Sequence, residues 1–326
     1  MRRILTIDGG GIKGVFPASF LAALEDRIGG PIANYFDLIA GTSTGGIIAI
    51  GLGLGLTSRE ILQLYCENAR RIFPRTHGLS VRGVFRAKYA KTALRQVLTE
   101  VVGSRLLGES LTRLVIPSLN LASEKVHIYK TSHAAGLFND YKIPAVEVAL
   151  ATVAAPSYFP IHLSPEGVPF IDGGVWARNP VGLAVIEALG ILGWARDDIR
   201  VLSLGCTSTR LNVAWQKRTS LGSSYWGARL ADVFLTAQCS SALVTAQTLI
   251  GAENVFRISP NMSHRRFTLD GVEHLPALRE LGTSEASSHF SMLAPVFFQE
   301  KAARFVPFHR LGFEDTGLIP SRSAAA

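Results

Sequence analysis

The chain has 326 residues, enough for one large α/β domain or two modest ones, and its 33 bases against 25 acids give a formal net charge of +8. Three cysteines, Cys66, Cys206 and Cys239, are odd in number, far apart and without C-x-x-C spacing, which argues against a disulfide framework and a zinc site. No Pro/Gly/Ser-rich spacer or internal repeat divides the sequence, so one domain over 1–326 is expected, with "SRSAAA" as a frayed tail.

In chain order, "RILTID" reads as a buried strand and "GVFPASFLAALEDRI" as a helix with Pro17 in its tolerated first turn. The start carries two arginines but no apolar core of a signal peptide, so a cytoplasmic protein is expected. "YFDLIAG" is a second strand, followed by the helix "GGIIAIGLGL". The run at 37–56, uncharged after Asp37, is long enough to cross a bilayer, but six glycines would leave little side-chain surface for lipid and lower helix propensity. In "TSREILQLYCENARRIFP", Thr57 and Glu60 have capping-box spacing, Ile61, Leu64, Tyr65 and Ile72 share a face, and Pro74 stops the helix. Strands are expected at "RLVIPSLNL", "KVHIYKTS", "VPFID" and "IRVLSLG", with helices near 145–154, 180–190 and 228–250. Such alternation predicts a parallel sheet covered on both faces, with ligands at the carboxyl ends of the strands.

Three of those ends carry chemistry. In "LTIDGGGIKG" a strand runs into Asp8, Gly9, Gly10, Gly11 and Gly14, whose N–H groups suit an anion at a helix N-terminus. The spacing also fits G-x-G-x-x-G, but the second strand ends in Gly41, Thr42 and Ser43 instead of the acid that holds a ribose, which makes a dinucleotide site a minor alternative. "GTSTG" is a G-x-S-x-G between strand and helix, where Gly41 and Gly45 relieve crowding around an exposed Ser43 hydroxyl. The third end, "VPFIDGGVWARNP", closes in Asp172, Gly173 and Gly174. His264, His274, His289 or His309 could formally complete a Ser-His-acid triad. The elbow comes too early for an ordinary α/β-hydrolase, and no histidine lies in a glycine-flanked strand end, leaving Asp172 as direct base to Ser43.

"DGGGIKG", "GTSTG" and "DGG", in this order, together with "ATVAAPSYFP" and "VLSLGCTST", resemble the patatin-like phospholipases over about residues 3–210. The resemblance implies a three-layer α/β/α fold with a mostly parallel central sheet and a Ser/Asp dyad acyl hydrolase. In it, Ser43 would be the nucleophile, Asp172 the general base, and N–H groups of the Gly9–Gly10–Gly11 loop, with help from Thr44, the oxyanion donors. It further implies a phospholipid substrate met at the inner membrane, and no cofactor or metal. Lys13 is read either as a positive group near the oxyanion loop or as a plain surface lysine.

Two features suggest regulation. Residues 68–99 contain eight bases and no acid, so this segment holds the whole positive excess; Arg75, Arg82, Arg86 and Lys88 are its candidate anion contacts. The segment from 263 to 290 resembles CapV-type antiphage effectors, patatin-like phospholipases switched on by cyclic dinucleotides, and places Arg265 and Arg266 as further phosphate contacts. A homo-oligomer is open. A nucleic-acid-binding or catalytically silent protein using the same bases is the alternative, although no helix-turn-helix, zinc or RNP pattern appears.

Overall fold

The computed structural model describes residues 1–74, 87–207, 220, 222–227, 229–262 and 267–312. Its strands are β1 Arg2–Ile7, β2 Leu38–Gly41, β3 Arg113–Asn120, β4 Lys125–Lys130, β5 His162–Leu163, β6 Pro169–Asp172, β7 Ile199–Leu204 and β8 Val255–Ile258. The main helices are α1 Val15–Ile28, α2 Thr44–Gly53, α3 Ser58–Ile72, α4 Lys91–Val102, α5 Ala145–Thr152, α6 Val181–Gly190, α7 Leu230–Ile250 and α8 Leu275–Phe297.

The eight strands form one sheet in the order β5-β6-β3-β2-β1-β7-β8, with β4 also paired to β3. β8, β7, β1, β2 and β3 run parallel, whereas β4, β5 and β6 are joined by antiparallel ladders. Mostly parallel is therefore correct for the centre, and one edge reverses direction. Side chains alternate along β1, so Leu5 and Ile7 enter one apolar cluster with α1, α2, α3, α4, α5 and α8, while Ile4 enters another with α6 and the end of α7. This produces three layers, thick on one side and thin on the other.

Local chemistry explains the elements. α1 ends at Gly29, whose φ of 70° suits a left-handed cap and whose N–H donates to the Glu25 carbonyl. α3 begins with the expected capping box: the Thr57 side chain accepts from the Glu60 N–H, and Glu60 accepts from the Thr57 N–H. α4 was hidden inside the basic segment; its Leu94, Val97, Leu98 and Val102 form one buried face. The two-residue β5 and the short β8 were missed as well, as was α8, which packs along α1 with Gly282 against the Phe16 carbonyl and Ser19.

Register decides where the site forms. β2 pairs only with Arg113–Val115 of β3, and the rest of β3 runs past the end of β2. On that overhang β6 pairs antiparallel, setting Asp172 opposite Ser118. Asp172 therefore approaches the carboxyl edge of the parallel strands from outside, on a strand of opposite direction.

Candidate active site

The elbow between β2 and α2 is held from four sides. Ser43 has φ 55° and ψ −122°, an unfavourable conformation for a residue with a side chain, and the surrounding bonds fix it. Its N–H donates to Thr152 Oγ1 at 3.0 Å, and the Thr152 hydroxyl donates to the Pro117 carbonyl at 2.7 Å. Thr42 Oγ1 donates to the Ala177 carbonyl at 2.6 Å, and the Thr42 N–H to the Ile7 carbonyl. Thr44 Oγ1 lies 2.6 Å from the hydroxyl of buried Tyr65 on α3, whose phenol is pushed far up by burial and stays protonated. Close approach requires glycine on both sides: a Cβ at Gly41 would meet the Gly45 carbonyl, and one at Gly45 the carbonyls of Ile7 and Asp8.

Ser43 Oγ donates to Asp172 Oδ2 at 2.6 Å, and Asp172 Oδ1 accepts the Gly174 N–H at 2.6 Å. Burial raises the Asp172 carboxyl to about 6, against the opposing pull of the Ser43 and Gly174 bonds and the Arg178 charge. A carboxylate held in this range is basic enough to take a hydroxyl proton as Oγ attacks, yet is ionised at neutral pH. The other histidine readings do not share this geometry. His274 lies beside Glu273, His289 bonds the Glu285 carbonyl and His309 the Ala135 carbonyl; Ser43 and Asp172 bond each other, Thr152 and Gly174 instead, and His264 lies outside the described residues.

The glycine loop lies beside the elbow, with Gly9 facing Ser43: a Cβ at Gly9 would be 3.2 Å from that of Ser43. Asp8, which begins the loop, is bound by both ends of the Arg257 guanidinium at 2.8 and 2.5 Å, and Arg257 also donates to Ser203 Oγ. One expectation is corrected here. The Gly9 N–H donates to the Arg178 carbonyl at 2.9 Å, while Arg178 Nε donates back to the Gly9 carbonyl, so Gly9 has no N–H free for an oxyanion. Ile12 N–H is likewise taken by the Leu269 carbonyl. Gly10, Gly11 (φ 59°) and Thr44 are left with N–H groups that have no acceptor among the described residues. Gly14 packs against the Thr44 side chain, Gly173 against the Pro117 carbonyl and Gly174 near the Asp172 carboxylate.

Lys13 is buried, not a surface lysine; burial and then the Arg178 charge lower its ammonium to about 8. The described part of the basic segment is less open than its composition suggests. Arg71 pairs with Glu100, Lys88 with Asp270, Arg95 with Glu147, and Lys91 Nζ lies 3.2 Å from His162 Nδ1. Lys88 is thus a strap to the 267–272 turn, where Tyr89 also donates to Asp270. Arg75, Arg82, Arg86, Arg265 and Arg266 lie outside the described residues. No cluster of three or more metal-ligating side chains occurs among the described residues.

The parallel sheet, strand-serine-helix elbow and buried hydroxyl-carboxylate pair define a class: hydrolases built on a nucleophile elbow. Residues 5–185 match the family model described as patatin-like phospholipase. The chain is 34% identical to a cGAMP-activated phospholipase of Pseudomonas aeruginosa over 276 residues, 82% of each chain. It is also 34% identical to one of Vibrio cholerae over 227 residues, 62% of this chain and 63% of that one. Among solved structures, VipD of Legionella pneumophila aligns with a TM-score of 0.43 at 14% identity, covering 88% of this chain and 67% of the other. The chain belongs to the patatin-like phospholipase family and is, as a member, a lipid acyl hydrolase.

Proposed function

We propose that the chain cleaves acyl esters of membrane glycerophospholipids through a Ser43/Asp172 dyad, at the cytoplasmic face of the inner membrane and under the control of a cyclic dinucleotide. The observation that carries the catalytic part is the 2.6 Å bond from Ser43 Oγ to a buried carboxylate raised to about 6. As Oγ attacks the ester carbon, Asp172 Oδ2 takes its proton, and the carbonyl oxygen gains charge against the N–H groups of Gly10, Gly11 and Thr44. Each such donor contributes about 2.7 to 4 kcal/mol to catalysis by the measure of its removal. Protonated Asp172 then gives its proton to the departing lysophospholipid oxygen and, ionised again, draws one from the water that cleaves the acyl-serine. The control is supported by the relatives from P. aeruginosa and V. cholerae, both named cGAMP-activated phospholipases.

Purified protein, with Ser43→Ala and Asp172→Asn variants, is incubated with phospholipid vesicles with and without cGAMP and other cyclic dinucleotides, and released fatty acid is measured. The native protein should release fatty acid with one nucleotide, both variants should lose release, and the native rate should climb with pH through about 6 as Asp172 ionises. Release surviving in Asp172→Asn would remove the dyad. Equal release with and without every nucleotide would remove the control.

A further inference from the structure

α7 is 21 residues long and carries a single charge, Asp232, and its most apolar 18-residue stretch has a mean hydropathy of 1.4 with only 11% of its residues buried. One side is committed to the protein. Ala246 and Ile250 enter the cluster with α6, the Gln238 side chain accepts the Arg178 N–H at 2.8 Å, and the Cys239 carbonyl accepts from Asn179 Nδ2. The helix therefore cannot leave the fold to cross a bilayer, although its length permits it. Its other side is bare: Leu230, Phe234, Ala237, Ser241, Val244 and Thr248 are all exposed and recur at alternating steps of four and three, one continuous stripe along the helix. Phe234 is 65% exposed and Val244 57%.

The stripe is attached to the chemistry. Arg178, which Gln238 holds, is the residue that exchanges two bonds with Gly9 of the glycine loop. The helix also packs along Gly174–Ala177, the turn that follows Asp172. Just before the helix come Tyr225, Trp226 and Arg229, with the Arg229 guanidinium 4.1 Å from the Tyr225 ring centre. Aromatic residues with a polar tip and a long cation are the side chains that settle at headgroup level.

We propose that the outward face of α7 is the surface on which the protein lies against a phospholipid bilayer, with the helix in the plane of the interface and the mouth of the Ser43 site held at the headgroups. This rests on the lipid hydrolase reading above. An exposed helix face binds the headgroup and acyl boundary in proportion to the apolar area it buries there, which in this stripe comes from Leu230, Phe234, Ala237 and Val244, with only the small hydroxyls of Ser241 and Thr248 among them. A protein partner on the same stripe would cover the surface joined through Gln238 and Arg178 to the glycine loop, whereas a bilayer there supplies the substrate of the reading above.

The test uses the full chain, vesicles of phosphatidylethanolamine and phosphatidylglycerol, the double variant Phe234→Glu/Val244→Glu, and Leu111→Glu as a control at an equally exposed apolar residue (66%). Three quantities are read with and without cGAMP: co-sedimentation with vesicles, fatty-acid release from them, and hydrolysis of a water-soluble short-chain ester. The double variant should lose vesicle binding about tenfold or more, and its vesicle turnover should fall at least about tenfold further than its short-chain turnover. The control should match the native protein in all three. Vesicle binding equal to native in the double variant overturns the proposal. So does a native dimer in sedimentation velocity that this variant dissociates, because the stripe would then belong to a second copy. Native protein that binds vesicles through the stripe but hydrolyses neither substrate would leave this proposal standing and remove the catalytic one.

Discussion

α2 and α7 are both apolar and almost without charge, yet they sit in opposite circumstances. α2 is buried at every position but Ile47, pressed between β1, β3 and α3, and it carries four glycines. α7 buries only Ala246 and Ile250 and covers the thin side of the sheet. In α2, apolarity and glycine serve approach: the helix comes close enough to the end of β1 for its first turn to hold Ser43 against the glycine loop. In α7, apolarity outlasts what the core needs. The same composition therefore marks packing in one place and an unfilled surface in the other, and glycine content separates them.

The sharpest way to break the comparison is at Gly45. A valine there would drive its Cβ into the backbone carbonyls of Ile7 and Asp8, which cannot swing aside, so Gly45→Val should cost more than about 3 kcal/mol in denaturant unfolding or prevent folding. Asp172→Asn should act in the opposite direction. The folded-state carboxyl titrates near 6 instead of about 4, so between these values the folded protein holds a proton that the unfolded chain has released, and stability falls as pH rises through the window. The variant should gain about 1 to 3 kcal/mol near pH 8, a gain that disappears near pH 4 while activity is lost at both. Tyr65→Phe removes the hydroxyl that meets Thr44 and should cost about 1 to 2 kcal/mol by the same unfolding measurement. Phe234→Ser on α7 should stay within about 0.5 kcal/mol of native stability, as expected of a side chain that is mostly exposed. A cost of several kcal/mol at Phe234 would mean that the outward stripe is part of the core after all.

Much of the site was legible because its signals are local. A glycine run after a strand, a serine between glycines and an aspartate before two more each report on their own few residues, and the structure brings Ser43 and Asp172 into hydrogen-bond contact. What failed to show depends on distant partners. That the Gly9 N–H is occupied is decided by the carbonyl of Arg178, and the orientation of Ser43 by the hydroxyl of Thr152. Residues 68–99 read as a basic face because the acids that pair with Arg71, Lys88 and Arg95 lie outside the segment, Glu100 just past its end and Asp270 and Glu147 far along the chain. Strand direction was lost for a similar reason: "VPFID" looks like its neighbours, and only its ladder with β3 reveals that it runs the other way. β5, at two residues, is too short for its periodicity to register, and β5 and β8 alike are defined by the strands on which they pair.

The overhang of β3 past β2 has an evolutionary consequence. The two members of the dyad are mounted on different strands, Ser43 at the end of β2 and Asp172 on a reversed strand that joins the parallel ones through three rungs of β3. Of the stretch between Asn120 and Phe170, the β4 hairpin and the β5 segment can therefore lengthen or shorten while the reacting atoms keep their spacing, whereas the end of α5 is fixed by the bond from the Ser43 N–H to Thr152. The edge of the sheet thus becomes ground for variation, a place where lineages could add segments without disturbing the chemistry beside it.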